Sequence, residues 1–270
     1  MGIKYTLALC QFASSEDKDE SIEKASRFVS SASAVGARIV AMPEMWNCPY
    51  GNEYFPSYAE DEGGRSFTFM SALARDNEVY LVGGSIPESD GGRYYNTSFL
   101  FGPDGELLGK HRKAHLFDVD IEGGPSFKES DTLSPGDGFT VFDTEFGKVG
   151  VAVCFDVRFA DMFSAMAAEG CHLVVLPAAF TLATGAAHWE LLIRSRALDN
   201  QCYFAACAPA RSNKLKFRSW AHSMIADPWG DLRAAAATEE TVVFGEIDLD
   251  YMDKVRRELP VFNQGFTKQK

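Results

Sequence analysis

The sequence predicts a layered α/β protein whose β-sheets are mixed rather than purely parallel. Strand-like and helix-like segments alternate along most of the 270 residues, and this alternation favours helices packed on sheets. Some strand-like segments follow one another with only a turn between them, which favours antiparallel pairs in the same sheets. No segment recurs at a fixed period, so the pattern excludes a solenoid or a propeller.

The first half of the chain begins with a strand and a helix of clear periodicity. Apolar side chains alternate or run together over residues 4–12, and they recur at helical spacing over residues 16–34. The turn signal Pro103-Asp104-Gly105 predicts a hairpin. In chain order we predict a strand at 4–12, a helix at 16–34, a strand at 38–42, a helix at 66–75, strands at 79–86 and 95–101, and a hairpin partner at 107–108.

The second half begins with a weakly patterned stretch, residues 115–135, that is rich in Asp, Gly and Ser. A loop of that length is uncommon unless it is functional. Regular segments then resume. We predict strands at 139–142 and 148–154, a helix at 160–169, a strand at 172–176, a helix at 188–199, strands at 202–207, 220–226 and 241–247, and a helix at 249–259.

The composition is that of an ordinary globular protein, with 46% hydrophobic and 24% charged residues. No linker interrupts it, so we expect one domain over residues 1–270. The net charge of -12 argues against nucleic acid and anionic membrane as partners, because both bind clustered Lys and Arg. Six cysteines without a recognisable secretory signal predict free thiols in a reducing compartment, the cytoplasm or an organelle such as the mitochondrion.

Familiar nucleotide, serine-hydrolase and metalloprotease motifs are absent from the sequence, and the His and Cys spacings do not predict a metal site. Cys154 is the most suggestive cysteine. It closes the apolar run 149–153 and precedes a predicted helix, a position where open α/β sheets bind ligands and where a helix N-terminus favours a thiolate. Taken alone, a buried core cysteine is still the default interpretation, because free Cys is among the most buried residue types.

Two charged residues occupy comparable positions. Glu44 follows the apolar run 38–42, and Lys113 lies in a basic cluster after the predicted hairpin. Taken separately, Glu44 is either a surface cap or a placed acid, and a solvated turn is the default interpretation of the basic cluster. A cysteine nucleophile nevertheless needs a base to take its proton, and the oxyanion that its attack creates needs a preorganised donor. Glu44 and Lys113 have the residue types for these two tasks.

Three sequence blocks in this order resemble the signature blocks of the nitrilase (carbon–nitrogen hydrolase) superfamily. They are Pro43-Glu44, Arg112-Lys113-Ala114-His115-Leu116-Phe117, and the segment 150–159 around Cys154-Phe155-Asp156. Further matches, such as Tyr95-Asn96-Thr97 and Asp227-Pro228-Trp229-Gly230, extend the resemblance over residues 5–262. Asn47-Cys48-Pro49-Tyr50-Gly51, Phe117-Asp118-Val119-Asp120 and Phe127-Lys128-Glu129-Ser130 most resemble the ω-amidase (Nit2-like) branch.

The resemblance implies an α-β-β-α sandwich of two mixed β-sheets and a catalytic centre that needs no metal and no organic cofactor. It implies that Cys154 is the nucleophile, Glu44 its general base and Lys113 the group that stabilises the oxyanion. A second acid of the family falls on Glu129, where it would orient Lys113 or the substrate. The resemblance also implies a homodimer or a higher homo-oligomer.

For an ω-amidase, the resemblance implies a small dicarboxylic acid monoamide as substrate, such as α-ketoglutaramate or succinamate. The products are the acid and ammonia, formed through a cysteine thioester. Tyr50, Arg158 and Arg194 are unranked candidates for binding the far carboxylate. The expected walls of the pocket are Phe117, Phe155 and Phe180, each of which fits an ordinary core equally well, and the Phe155 backbone N–H is expected to assist Lys113.

The chain departs from the resemblance in two places. Residues 263–270 replace an Arg-rich tail that often joins the family's dimer contact, which leaves the oligomer geometry open. Gly123-Gly124 before Glu129 predicts a more mobile loop, because glycine adds backbone freedom.

Three alternatives remain at this point. The chain could be another hydrolase of the superfamily (a carbamoylase, a nitrilase or another amidase), since these share one acyl-transfer centre. It could be a non-catalytic scaffold, since a fold alone does not assign activity. It could also be a Cys-His hydrolase whose base is one of the five histidines, His111, His115, His172, His188 or His222.

Overall fold

The structure, a computed structural model, describes residues 2–122 and 126–261. The helices are α1 (Lys18–Ala34), α2 (Phe55–Tyr58), α3 (Arg65–Asp76), α4 (Ala160–Ala168), α5 (Leu182–Asn200) and α6 (Leu249–Glu258). The strands are β1 (Lys4–Gln11), β2 (Ala37–Ala41), β3 (Tyr80–Val82), β4 (Ile86–Asp90), β5 (Arg93–Phe101), β6 (Leu107–Arg112), β7 (Asp118–Asp120), β8 (Ser126–Lys128), β9 (Thr140–Thr144), β10 (Gly147–Val151), β11 (Cys171–Pro177), β12 (Tyr203–Cys207), β13 (Met224–Ala226), β14 (Leu232–Ala235) and β15 (Thr241–Asp248).

Two large mixed sheets organise these strands. The first has the order β15-β1-β2-β3-β5-β4, with β6 on the other edge of β5, and the second has the order β14-β13-β12-β11-β10-β9. Strands β1, β2 and β3 are parallel, as are β10, β11 and β12, while the outer strands pair antiparallel. The predicted mixture of parallel and antiparallel pairs is therefore confirmed.

The two sheets face each other across an apolar core, and helices cover both outer faces. Leu7 and Ile39 of the first sheet pack with Val151, Leu173 and other buried residues of the second. Helices α1 and α3 cover the outer face of the first sheet, and α4 and α5 cover that of the second. Burial of this apolar surface stabilises the layers. The result is the α-β-β-α sandwich that the family resemblance implied.

One predicted strand, residues 79–86, is divided in the structure into β3 and β4. The break lies at Gly84, which has a φ of +60°. A Cβ atom added there would lie 2.2 Å from the backbone oxygen of Pro43. The chain therefore turns closely around the segment that carries Glu44, and only glycine fits this approach without strain.

Other differences concern element ends. The predicted strand 148–154 ends at Val151, and Cys154 instead begins a 3₁₀ helix, Cys154–Arg158. Helix α5 begins at Leu182 rather than at 188, because the Thr181 side chain caps it by accepting from the Thr184 N–H. Only residues 224–226 of the predicted strand 220–226 are extended, and α2 and β14 were not predicted.

The stretch 115–135, predicted as a loop, contains the short hairpin β7–β8 and the 3₁₀ helix Glu129–Asp131. The expectations for Gly123-Gly124 and for the tail 263–270 lie outside the described residues. Within residues 2–122 and 126–261, no helix has both the length and the apolar character required to cross a bilayer.

Candidate active site

Four residues from distant parts of the chain meet at one edge of the sandwich. Glu44 follows β2, Lys113 follows β6, and Glu129 and Cys154 each begin a 3₁₀ helix. All four are buried, with at most 4% of any of them exposed. Glu44 and Lys113 come together because β2 and β6 run in the same direction in the first sheet. Cys154 follows β10 of the facing sheet, and Glu129 follows the β7–β8 hairpin.

The Lys113 ammonium lies between two carboxylates. Its Nζ atom is 3.2 Å from Glu44 Oε1 and 2.9 Å from Glu129 Oε1. Burial by itself lowers the pKa of Lys113, but the charges of Glu129 and Glu44 outweigh it and raise the pKa above its ordinary value. The ammonium is therefore charged at neutral pH, which suits a donor to an oxyanion.

Backbone and side-chain donors hold the Glu44 carboxylate. Its Oε1 atom accepts a hydrogen bond of 2.8 Å from Asn96 Nδ2, and its Oε2 atom accepts one of 2.6 Å from the Ala179 N–H. Burial raises the pKa of Glu44 despite the opposing charge of Lys113. The carboxylate faces the Cys154 thiol and interacts with it directly. A raised pKa makes Glu44 a stronger base toward that thiol.

Cys154 has an unusual backbone conformation for a residue other than glycine, with a φ of +49°. Such a conformation costs about 1–3 kcal/mol and persists only where the surroundings impose it. Burial, followed by the negative charge of Glu44, raises the pKa of the Cys154 thiol well above its ordinary value. The resting sulfur is therefore protonated, and a nucleophilic thiolate forms only when a base removes that proton.

A buried carboxylate, Asp156, connects the Cys154 turn to the segment of Lys113. It accepts hydrogen bonds from the Val153 N–H at 3.0 Å, from His115 Nδ1 at 2.8 Å and from the His115 N–H at 2.9 Å, and it lies 3.0 Å from His111 Nε2. Although burial opposes it, hydrogen bonding to the two histidines holds the pKa of Asp156 below its ordinary range. Asp156 thereby fixes the Cys154 turn against the strand that precedes Lys113.

Glu129 is held from three sides. The Lys113 ammonium is one donor to it. The other two are the Tyr50 hydroxyl, at 2.5 Å, and the Phe117 N–H, at 2.6 Å. Burial and the charge of Glu129 raise the pKa of Tyr50, so its hydroxyl stays a donor. The prediction that Tyr50 binds a substrate carboxylate is therefore weakened, because its hydroxyl already donates to Glu129.

Aromatic rings and one arginine extend from the buried cluster. Phe155 packs edge-on against Phe117, and the Arg158 guanidinium lies 5.4 Å from the ring centroids of both Phe155 and Phe180. Burial lowers the pKa of Arg158, and the charge of Cys154 acts on it in the opposite sense. Its Nε atom is buried without a hydrogen-bond partner among the described residues. Arg158 thus has an unused donor close to the thiol.

Arg194 lies elsewhere. It projects from α5, where its Nε atom donates to the Gly230 carbonyl at 2.7 Å and its Nη1 atom lies 3.2 Å from Glu190. It lines a surface groove along α5 that contains none of the four clustered residues. The structure therefore does not bring Arg194 to the predicted site, because this face of α5 points away from the sheets.

Tyr50 and Phe217, whose ring centroids are 4.8 Å apart, line two cavities. The inner cavity, of about 20 Å³, touches Glu44 and Ala179. The outer one, of about 290 Å³, is also lined by Phe117, Phe127 and Thr181. The inner space holds about one water molecule. That space is too small for an amide substrate.

Several residues of this site were not assigned a role from the sequence. Asn96 and Asp156 lie inside the family-like blocks, so their positions were noticed, but nothing in the blocks indicates which groups they contact. Ala179 contributes only its backbone N–H, which no side-chain pattern reveals. Phe217 lies in a segment without regular structure. Among the described residues, no group of three or more His, Cys, Asp or Glu side chains is arranged to hold a metal ion.

A protonated thiol beside a carboxylate, with a charged ammonium next to both, can carry out nucleophilic acyl transfer. Comparison with known proteins agrees with this chemistry: the chain belongs to the carbon–nitrogen hydrolase family, whose model matches residues 6–257.

Relatives with curated names are similar over almost the whole chain. Omega-amidase NIT2-B of Xenopus laevis is 51% identical over 261 residues, which is 97% of this chain and 95% of the frog protein. Omega-amidase NIT2 of Homo sapiens is 49% identical over 260 residues, covering 96% of this chain and 94% of the human protein. The crystal structure of Saccharomyces cerevisiae Nit3 superposes with a TM-score of 0.91 at 37% identity, over 98% of this chain and 97% of the yeast chain.

The Asp156 network predicts a measurable pH dependence of stability. Because the folded-state pKa of Asp156 is lowered, its contribution is present above the unfolded value of about 3.9 and is lost as the pH falls below it. We expect Asp156→Asn to lower the free energy of unfolding at pH 7 by about 2–3 kcal/mol, and to lose less stability than the wild type between pH 5 and pH 3. Urea denaturation across this range measures both.

The matched control is Asp143→Asn, at an exposed position on β9. This substitution should leave the pH dependence of the free energy of unfolding unchanged. Parallel stability curves for the wild type and Asp156→Asn over the acid range would contradict the role given to the Asp156 carboxylate.

Proposed function

We propose that this protein is an ω-amidase, which hydrolyses small dicarboxylic acid monoamides such as α-ketoglutaramate and succinamate to the acid and ammonia. The observation that carries the proposal is the packing of a protonated thiol, a carboxylate and an ammonium in one buried cluster. The substrate class is supported by the relatives named omega-amidase, which are about 50% identical over nearly the whole chain.

In the first half of the proposed reaction, Cys154 attacks the amide carbon while Glu44 takes the thiol proton. The negative charge that develops on the amide oxygen is stabilised by Lys113 and by the Phe155 backbone N–H. The C–N bond then breaks. Glu44 returns its proton to the leaving nitrogen, ammonia departs, and an acyl thioester remains on Cys154.

In the second half, Glu44 removes a proton from a water molecule as the water attacks the thioester carbon. The tetrahedral intermediate collapses, the acid leaves, and the sulfur takes back the proton. Lys113 faces the oxyanion in both halves. Glu129 keeps the Lys113 ammonium in place, because its two oxygens lie 2.9 and 2.8 Å from Nζ.

Arg158 is the best of the three candidates for binding the far carboxylate of the substrate. Its Nε donor is unused, and its guanidinium lies beside the rings of Phe155 and Phe180. The Tyr50 hydroxyl is already engaged with Glu129, and Arg194 lies in the groove along α5. An arginine suits this task because its planar fork matches a carboxylate.

The proposal predicts a clear order of substrates. Ammonia release should be fastest from α-ketoglutaramate and succinamate, and much slower from an aliphatic nitrile or an N-carbamoyl amino acid of similar size. A coupled glutamate dehydrogenase assay measures ammonia in all cases. Turnover of the carbamoyl compound alone would contradict the ω-amidase assignment and favour a carbamoylase.

Variants of the clustered residues are the controls for that measurement. Cys154→Ala should abolish turnover, and Lys113→Ala should lower kcat by at least about 100-fold, as expected on loss of an oxyanion donor. Intact-mass spectrometry should detect an acyl adduct on Cys154 in the wild type. A folded wild type that forms no adduct with any of the amides would favour the non-catalytic scaffold, and near-normal turnover of Glu44→Gln would favour a histidine base.

The role of Arg158 predicts a selective loss of affinity. Arg158→Met keeps an apolar side chain between the two rings but removes the guanidinium. We expect the KM for succinamate to rise about 10- to 100-fold, since a hydrogen bond to a charged group contributes about 1.5–3 kcal/mol. The KM for butyramide, which lacks the far carboxylate, should change little. Equal effects on both substrates, or an equal effect of Arg194→Met, would contradict this assignment.

We also propose that the protein forms a homodimer through the groove along α5. This groove, of about 570 Å³, is lined by Leu191 and Leu198. Leu191 is 66% exposed and Leu198 is 44% exposed. Trp229 is 48% exposed, and the next residue, Gly230, accepts a hydrogen bond from Arg194 of the groove. Such exposure is unusual for large apolar side chains on one surface. Sedimentation should give a dimer for the wild type and a smaller species for Leu191→Asp; a monomeric wild type would contradict the proposal.

A reducing compartment such as the cytoplasm or the mitochondrial matrix is proposed as the site of action. The support is that all six cysteines are free and buried, and that the proposed chemistry requires a free Cys154 thiol. Fractionation of cells that express the protein tests this proposal.

A further inference from the structure

Asn96, on β5, contacts the proposed base directly. Its side chain is 1% exposed, and its Nδ2 atom donates to Glu44 Oε1 at 2.8 Å. Its backbone carbonyl accepts a hydrogen bond of 2.8 Å from the Lys113 N–H. One residue of β5 is therefore bonded both to the segment that carries the proposed base and to the one that carries the proposed oxyanion donor.

The donors around Glu44 differ in what they do during the proposed reaction. The Ala179 N–H holds Oε2, while Lys113 and Asn96 share Oε1. Lys113 must also face the oxyanion as it forms. At that moment the ammonium interacts with two negative groups, and its contact with Glu44 weakens. The Asn96 amide is neutral and has no second partner in the reaction. Asn96 can therefore hold Oε1 throughout the cycle.

We propose that Asn96 is a positioning residue for Glu44, whose amide keeps the carboxylate turned toward the Cys154 thiol while Lys113 stabilises the oxyanion. The hydrogen bond that the Asn96 side chain makes among the described residues goes to Glu44, so Asn96 acts through Glu44. The inference rests on the proposed function, because it assigns Glu44 the task of removing the thiol proton.

The groups around Glu44 set its pKa, and through that pKa the loss of Asn96 changes the pH dependence of the activity. The ionisable groups whose charges act with Glu44 are Lys113, Glu129, Cys154, Tyr50 and Cys48. Asn96 donates to the ionised carboxylate, so its bond lowers the pKa of Glu44. Removing the bond raises that pKa. Because Glu44 must be ionised to act as a base, the acid limb of the activity profile then moves to higher pH.

Asn96→Leu is the test variant, because leucine has the same branched outline as asparagine and lacks the donor. Thr97→Val, the next residue of β5, is the matched control. Thr97 is also buried, and its hydroxyl donates to the Glu88 carboxylate at 2.6 Å, outside the cluster. Both substitutions remove one hydrogen bond to a buried carboxylate, so a general effect on stability appears in both. Asn96→Ala replaces Asn96→Leu if thermal unfolding shows that the latter is not folded.

We expect Asn96→Leu to lower kcat about ten-fold and to shift the acid limb of kcat/KM upward by about one pH unit, since one pKa unit corresponds to a ten-fold change. KM for succinamate should change little, because Asn96 acts through Glu44. Thr97→Val should keep the wild-type profile. A folded Asn96→Leu with an unshifted profile, or an equal shift in Thr97→Val, would overturn the inference.

A second readout separates this inference from the proposed function. The rate of Cys154 alkylation by iodoacetamide is measured against pH by peptide mass spectrometry in the wild type and in both variants. It requires removal of the thiol proton but no amide hydrolysis. If the wild type hydrolyses no amide, the proposed function fails, and the alkylation profile still tests Asn96. The same upward shift in Asn96→Leu supports the inference, and identical profiles overturn it.

Discussion

The buried ammonium of Lys113 is the interaction on which the rest of the site depends. An ammonium taken out of water costs several kcal/mol unless charged and hydrogen-bonding groups compensate for the loss. Glu44 and Glu129 supply that compensation, and both side chains are themselves fully buried. Glu44 follows β2, Lys113 follows β6, and Glu129 begins the 3₁₀ helix Glu129–Asp131. The ion cluster therefore forms only when these three segments come together. The fold and the charge arrangement therefore stabilise each other.

One ammonium between two carboxylates leaves an excess of negative charge beside Cys154. This charge and the surrounding burial raise the pKa of the Cys154 thiol, and burial also raises the pKa of Glu44. The resting site thus holds a neutral thiol next to a strong base rather than a stable thiolate. In the proposed reaction the nucleophile forms only as the substrate carbonyl accepts the electron pair of the sulfur, which protects an otherwise reactive cysteine between turnovers.

The sequence predicted much of the fold because burial imposes a local period on each element. The strand β1 and the helix α1 were recognised to within a few residues for this reason. The break between β3 and β4 was missed, since it depends on how closely Gly84 approaches Pro43 in space. The family-like blocks identified Glu44, Lys113, Glu129 and Cys154 as candidates. The two arginines, Arg158 and Arg194, could not be ranked, because a sequence does not state which face of a helix packs inward.

The sequence by itself determined the order of strands and helices, the absence of familiar nucleotide and metal motifs, and the residue types available for acyl transfer. Those properties follow from side-chain chemistry and from spacing along the chain. Only the tertiary structure decided that Asn96 holds Glu44, that Asp156 joins the Cys154 turn to His111 and His115, and that Tyr50 is already engaged with Glu129. Hydrogen bonds of this kind depend on distances of about 3 Å between groups far apart in the chain, and the order of strands in the sheets sets those distances.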